Sequence, residues 1–261
     1  MKKVGIITFH ASHNYGSMLQ AYALQQVVLG MGYDCEIINF RSATQKEQYK
    51  PIFMVGTLYG KCVRFIIQAT YALGILKKHR LFERFLKEEL ILSKKEYTTL
   101  KELESENFNY DYYISGSDQI WNTYNIDFSY AYFLPFVKYG NRIAYAPSMG
   151  SHLGIDKFGN LDRISDLLKK YDALSVREAV GSKYIESLIS KPVTTVLDPT
   201  LLLEPQIYNK LICNKPLIKG EYIFIYSPNY NECVYEMAYK LGRKYNQKIV
   251  ISQGLRTKEE M

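Results

Sequence analysis

The chain has 261 residues, 47% hydrophobic and 23% charged, an ordinary globular composition without a disorder signature and with length enough for one large or two smaller domains. Its formal net charge is +7, from 33 Lys and Arg against 26 Asp and Glu, with the excess in scattered lysines such as Lys77, Lys78, Lys87, Lys94 and Lys95. A nucleic-acid footprint would be a stripe with interleaved aromatics, so no nucleic-acid partner is expected; a surface that attracts anionic metabolites or approaches an anionic membrane fits the pattern.

Cys35, Cys62, Cys213 and Cys233 are widely spaced, with neither a CxxC pair nor a disulfide framework. They read as reduced, mostly buried thiols of a cytoplasmic protein, and no metal is expected. The N-terminal Met-Lys-Lys runs straight into a strand, and the most apolar later run, Phe65 to Leu76, is far short of the roughly 20 residues a membrane span needs. Neither export nor membrane spanning is expected. The 24 tyrosines suit carbohydrate faces but equally suit a chain rich in Lys, Ile and Asn.

Val4 to Thr8 is a compact apolar strand, followed by the loop Phe9-His10-Ala11-Ser12-His13-Asn14-Tyr15-Gly16-Ser17. Met18, Leu19, Tyr22, Ala23, Val27 and Val28 then recur at helical spacing, Gly30 and Gly32 end the helix, and Cys35 to Phe40 is the next strand. This β-loop-α-β unit opens a parallel sheet. The loop brings His, Asn, Gly and Ser to a helix N-terminus, where free N–H groups and the dipole favour an anion; Asn14 or Ser17 as a simple cap is the alternative. There is neither GxGxxG nor a Walker A sequence, because Gly30-Met31-Gly32 sits at a helix end, so nicotinamide dinucleotides and ATP lose support.

Arg41 to Leu90 reads as an irregular link and two helices, around Leu58 to Leu73 and Lys77 to Leu90, inserted between strands as a lid or flank. Leu81, Phe82, Phe85, Leu86 and Leu90 mark its buried stripe, and His79, among basic residues, reads as solvated. Tyr110 to Ile114 is a buried strand that breaks into Ser115-Gly116-Ser117-Asp118-Gln119-Ile120-Trp121-Asn122. So dense a set of polar and aromatic groups at a strand's carboxyl end is where an α/β sheet presents a ligand site. A tight turn with Trp121 in the core is the competing explanation.

Asn125 to Tyr139 is aromatic and loop-like, Arg142 to Ala146 is a strand ending in Pro147-Ser148-Met149-Gly150-Ser151-His152, and a helix over Leu161 to Lys169 leads to the strand Ala173 to Val176. Arg177 at that strand's carboxyl end can clamp a carboxylate or phosphate with a bidentate fork, or else pair with Glu178 or Asp198. Val193 to Leu197 is a short strand closed by Asp198-Pro199-Thr200, with Asp198 a turn or cap carboxylate or a functional one. Residues 206–220 read as a linker, and Tyr222 to Tyr226 restarts a strand-loop-helix-strand pattern through Lys248 to Ser252. The expected organisation is residues 1–205 as a Rossmann-like domain with a helical insertion at about 41–105, then 221–261 as the start of a second such domain.

Five blocks in order resemble the polysaccharide pyruvyl transferase family: His13-Asn14-Tyr15-Gly16-Ser17-Met18-Leu19-Gln20-Ala21-Tyr22-Ala23-Leu24-Gln25, Gly116 to Asn122, Ala144 to Gly150, Leu174 to Glu178 and Leu197 to Leu202. The resemblance covers most of residues 1–203. It implies a GT-B-like pair of Rossmann-like domains and transfer of the pyruvyl group of phosphoenolpyruvate onto a sugar or lipid-linked oligosaccharide acceptor, forming a pyruvate ketal. No cofactor is implied beyond this co-substrate, and the setting would be cell-surface or exopolysaccharide synthesis in the cytoplasm or at the inner face of the membrane. The family's usual catalytic His lies in an Asp-Ser-Phe-His-like segment that this sequence does not reach, so the chain is expected to be an N-terminal portion, inactive by itself or dependent on a missing half.

The expected donor clamp is Arg177. The expected substrate-binding residues are His13, Asn14, Gly16, Ser17, Gln20, Ser115, Gly116, Ser117, Asp118, Gln119, Trp121, Asn122, Ser148 and Asp198. The alternatives are a GT-B-type sugar-nucleotide glycosyltransferase and a non-catalytic glycan-binding or assembly subunit.

Overall fold

The computed structural model describes residues 1–51, 72–151, 160–212, 215–226 and 231–251. Most of the expected helix from Leu58 to Leu73, together with Cys62, His152, Cys213 and the loop around Pro228, lies outside the described residues. The chain forms two compact units, Met1–Pro205 and Gln206–Met261.

The first unit is built on a six-stranded parallel sheet in the order β2-β1-β3-β4-β5-β6, a Rossmann-like α/β arrangement. The strands are β1 (Lys3–Ile7), β2 (Asp34–Ile37), β3 (Tyr112–Ser115), β4 (Asn141–Ala144), β5 (Ala173–Val176) and β6 (Thr194–Thr195). Val4, Ile6, Ile7 and Tyr113 are buried, as an apolar run in a parallel sheet covered on both faces requires. α1 (Tyr15–Gly30) crosses from β1 to β2, and Gly32 leaves it at φ +83°, the left-handed conformation that favours glycine. Gln25, buried on α1, donates to the Ile91 carbonyl and accepts from the Ile91 N–H, so its amide is satisfied without water.

Between β2 and β3 come α2 (Ala43–Gln48), α3 (Ala72–Glu89) and α4 (Leu100–Ser105), the last opened by a reciprocal Thr99–Glu102 capping box. α3 buries Phe82 and Leu86, but Leu81, expected on the same stripe, is 46% exposed. The segment after α3 returns to the sheet: the Ile37 N–H donates to Ile91 and the Tyr97 N–H donates to Asn39, which covers the otherwise open β2 edge. The aromatic loop expected over Asn125 to Tyr139 contains a 3-10 turn, Tyr130–Phe133, that carries three fully buried side chains. α5 (Leu161–Leu168) and α6 (Ala179–Ile189) complete the unit.

In the second unit β7 (Tyr222–Ile225) pairs in parallel with β8 (Lys248–Ile251) across α7 (Glu232–Tyr245), capped by Asn231. The stretch expected as a linker holds short helical turns at Pro205–Tyr208 and Asn209–Leu211. Cys35 is buried as expected, whereas Cys233 is exposed.

In the first unit the chain leaves β1 toward β2 on one side, and β3 lies on the other. The carboxyl ends of β1 and β3 therefore flank the topological switch point, where open α/β sheets leave a crevice for ligands.

Candidate functional site

One continuous hydrogen-bond network joins the carboxyl ends of five strands, β1, β3, β4, β5 and β6. The Thr8 hydroxyl, just past β1, donates to the Ser117 carbonyl at 3.0 Å. Gln20 on α1 donates to Thr8 Oγ1 at 2.9 Å and to the Ser17 carbonyl at 2.8 Å, while its Oε1 accepts the Ser117 N–H at 3.0 Å. The Ser117 hydroxyl lies 2.8 Å from the Ala146 carbonyl and 3.3 Å from Asp198 Oδ2. That same Oδ2 accepts from Arg177 at 3.1 Å, and the Arg177 Nε–H donates to Glu178 at 2.9 Å. Gln20, Ser117, Asp198 and Arg177, far apart in sequence, thus form one assembly.

Both ion pairs weighed for Arg177 form at once. The remaining guanidinium nitrogen has no partner among the described residues, and the side chain is 30% exposed, so one edge of the fork stays open. At Asp198 burial opposes ionisation, but the bonds from Thr200 N–H and Oγ1 and the nearby Arg177 more than offset it. The carboxyl is held below its usual range and is ionised at neutral pH.

The strand-end loop after β3 spends most of its functional groups on its own shape. Gly116 has φ +130°, and a Cβ there would lie 2.0 Å from the Tyr145 carbonyl oxygen, so only glycine fits. Ser115 is fully buried and donates to the Tyr132 carbonyl. Trp121, expected at the ligand, has no exposed surface: it stacks on Phe133 with centroids 5.1 Å apart and donates its indole N–H to Tyr132 at 3.2 Å. Asn122 donates to Gln119 Oε1 at 2.9 Å and accepts the Tyr124 N–H at 3.0 Å, which pins the loop on itself. Ser115, Trp121 and Asn122 are therefore scaffold, because an indole or amide set in a dry turn is most stable when its partners are local.

Asp118, at φ +74°, accepts the Gln119 N–H on its carboxylate at 2.7 Å and the Ser148 N–H on its carbonyl at 2.8 Å. Ser148 is buried and accepts the Gly150 N–H at 3.0 Å, so the β3 and β4 loops are tied together. Asn14 proves to be the α1 cap, with Oδ1 accepting from Gly16 and Ser17 at 2.9 and 3.2 Å. Two of the amides expected to hold an anion are thereby occupied. Asn14 and Gly16 are exposed, and His13, Ser17, Asp118 and Gln119 are half-buried.

Sequence reasoning missed a second cluster beside the first. Asp127 is 5% exposed; its Oδ2 accepts from Ser12 at 3.4 Å and from Gln45 at 3.3 Å, and its Oδ1 has no partner among the described residues. Gln45 Oε1 and the Tyr132 hydroxyl are buried and unpartnered as well. Burial pushes the Asp127 carboxyl upward, with Asp118 acting in the same direction, and pushes the Tyr49 phenol up to about 12. The only available signal was a single acid in an otherwise aromatic loop. His10, also in the β1 loop, is fully buried between the Thr8 carbonyl and Asn39, and burial lowers its pKa. His79, expected in solvent, instead meets His13 edge-on with centroids 4.8 Å apart.

Searches among known proteins bear on what this arrangement serves. No curated protein and no solved structure matches the chain. The model of one family, described as Polysaccharide pyruvyl transferase, matches residues 14–258. Since that match covers most of the chain, from the Asn14 cap through the strand ends that carry Ser117, Arg177 and Asp198, the chain belongs to the polysaccharide pyruvyl transferase family.

Proposed function

We propose that the chain transfers the pyruvyl group of phosphoenolpyruvate to a sugar acceptor, forming a pyruvate ketal and releasing phosphate, during synthesis of a cell-surface or exopolysaccharide. The observation that supports this reading best is the Gln20–Ser117–Asp198–Arg177 assembly at the switch point, with one guanidinium edge open. A small donor bearing both carboxylate and phosphate is the kind of ligand such a fork grips in a bidentate way. Asp198 and Glu178 fix the plane of the fork before the donor arrives, which reduces the ordering cost of binding.

Ketal formation adds a proton to the terminal enol carbon, joins two sugar oxygens to the adjacent carbon, and expels phosphate as the hydroxyl protons leave. Arg177 stabilises charge on the carboxylate or the departing phosphate. Ionised Asp198 is no source for the proton; Asp127, a buried carboxyl of the loop between β3 and β4 whose pKa burial raises, is the candidate donor in this reading. In this reading no cofactor is needed, and the acceptor is a sugar or a lipid-linked oligosaccharide. The fold would be GT-B-like, with Gln206–Met261 contributing to a second Rossmann-like domain. The site of action is the cytoplasm, at the inner face of the membrane for a lipid-linked acceptor. No helix among the described residues is long and apolar enough to cross a membrane.

Calorimetric titration with phosphoenolpyruvate tests the assignment. The chain should bind it, and Arg177→Met should weaken binding roughly tenfold to a hundredfold, as expected for loss of a charge-assisted fork. Binding of a uridine diphosphate sugar with no response to phosphoenolpyruvate would sink the proposal in favour of a glycosyltransferase.

A further inference from the structure

We infer that His13, His79 and Glu83 form a binding site for a divalent transition-metal ion, zinc by preference, beside the loop that follows β1. The inference does not depend on the pyruvyl-transfer reading. One ligand atom from each of the three residues lies within 4.8 Å of the other two. His79 and Glu83 are one turn apart on the same face of α3, and His13 comes from a distant loop immediately before the Asn14 cap.

The site is partly organised in advance. The His13 ring stacks on Phe82 with centroids 5.1 Å apart, lies edge-on to His79 at 4.8 Å, and approaches Tyr49 at 5.4 Å. Its Nε2 is 2.9 Å from Glu83 Oε1. The His79 ring nitrogens make no hydrogen bond with the described residues, so both are available as ligand atoms. Two imidazoles and one carboxylate are a zinc donor set, and partial exposure leaves a fourth position for water or another ligand.

The main opposing group is Arg41, which donates to both Glu83 oxygens at 3.0 and 3.3 Å. It has a second carboxylate within reach, since its NH1 is 3.9 Å from Glu96, which also pairs with Lys46. Metal entry would replace the His13–Glu83 hydrogen bond, with the imidazole proton carried on His13 Nδ1 when Nε2 ligates, and leave Arg41 to Glu96. Lys78 Nζ also lies over the Phe82 ring, 5.9 Å from its centroid, a second positive charge near the site.

The test uses Co²⁺ as a spectroscopic probe on the chelator-treated chain, followed by displacement with Zn²⁺. One equivalent should produce the visible absorption of a four- or five-coordinate site. His79→Ala and Glu83→Gln should each weaken binding by roughly ten- to a hundredfold while the circular dichroism spectrum is kept, whereas Arg41→Gln should tighten it. Cys233→Ser, at an exposed thiol remote in sequence, should bind like the parent chain. A parent chain that gives no saturable Co²⁺ spectrum overturns the inference, and so does Co²⁺ affinity in His79→Ala and Glu83→Gln unchanged from the parent.

Discussion

The two flanks of the switch point differ in how their buried polar groups are satisfied. On the β3–β5 flank Ser117 is fully buried, and it, Asp198 and Arg177 each have named partners. On the β1–β2 flank Asp127, Gln45 and Tyr132 are about as deep as Ser117, yet each keeps one polar atom without a partner among the described residues. Burial by itself therefore does not separate scaffold from chemistry. Paired groups fix geometry, whereas unpartnered atoms, the open edge of Arg177 among them, mark where a proton, a water molecule or a ligand group belongs.

Four substitutions break or sharpen that contrast. Gly116→Ala should have the largest effect, because its Cβ would meet the Tyr145 carbonyl at 2.0 Å from a backbone at φ +130°. A loss of at least about 3 kcal/mol is expected in denaturant unfolding, and an unchanged midpoint would show the root of the paired flank to be pliable. Asp198→Ala should cost about 2 kcal/mol, since it strips acceptors from Ser117, Thr200 and Arg177 together. Asn14→Ala, at the crest between the flanks, should cost about 1 kcal/mol, the usual worth of an N-cap, and frees the Gly16 and Ser17 amides.

Asp127→Asn should have the smallest effect and the opposite sign, a gain of order 1 kcal/mol or less at neutral pH. Because burial raises the Asp127 pKa, the folded state binds more protons than the unfolded chain from about pH 4 upward. Parent stability falls as pH rises through that window, so the advantage of Asp127→Asn should grow with pH and vanish in acid. Asp198 behaves in reverse: its lowered pKa contributes stability above about pH 4 that is lost as pH falls through the folded value. Unfolding curves between roughly pH 3 and 8 separate the two flanks, and parallel profiles for Asp127→Asn and Asp198→Ala would erase the distinction.

Much of the fold was legible because apolar runs and helical spacing are local signals. β5 was expected at Ala173 to Val176 and is found there, whereas α1 starts at Tyr15, three residues before the apolar pattern begins, and β3 runs over Tyr112–Ser115, shifted toward the loop. The candidate site was legible in location but less so in role. Ser115, Trp121 and Asn122 carry the same chemistry whether they face a ligand or a turn, and only packing against Phe133, Tyr132 and Gln119 distinguishes the two. Asp127 and His79 were missed because their significance comes from partners more than sixty residues away, Gln45 and His13.

What the sequence by itself determined was a parallel α/β sheet whose strands end in polar loops, because hydrophobic periodicity and turn chemistry act between near neighbours. Only the tertiary structure decided which of those loop residues are satisfied and which are left with an open valence. That distinction depends on hydrogen-bond partners brought together by strand order, and no local pattern encodes it.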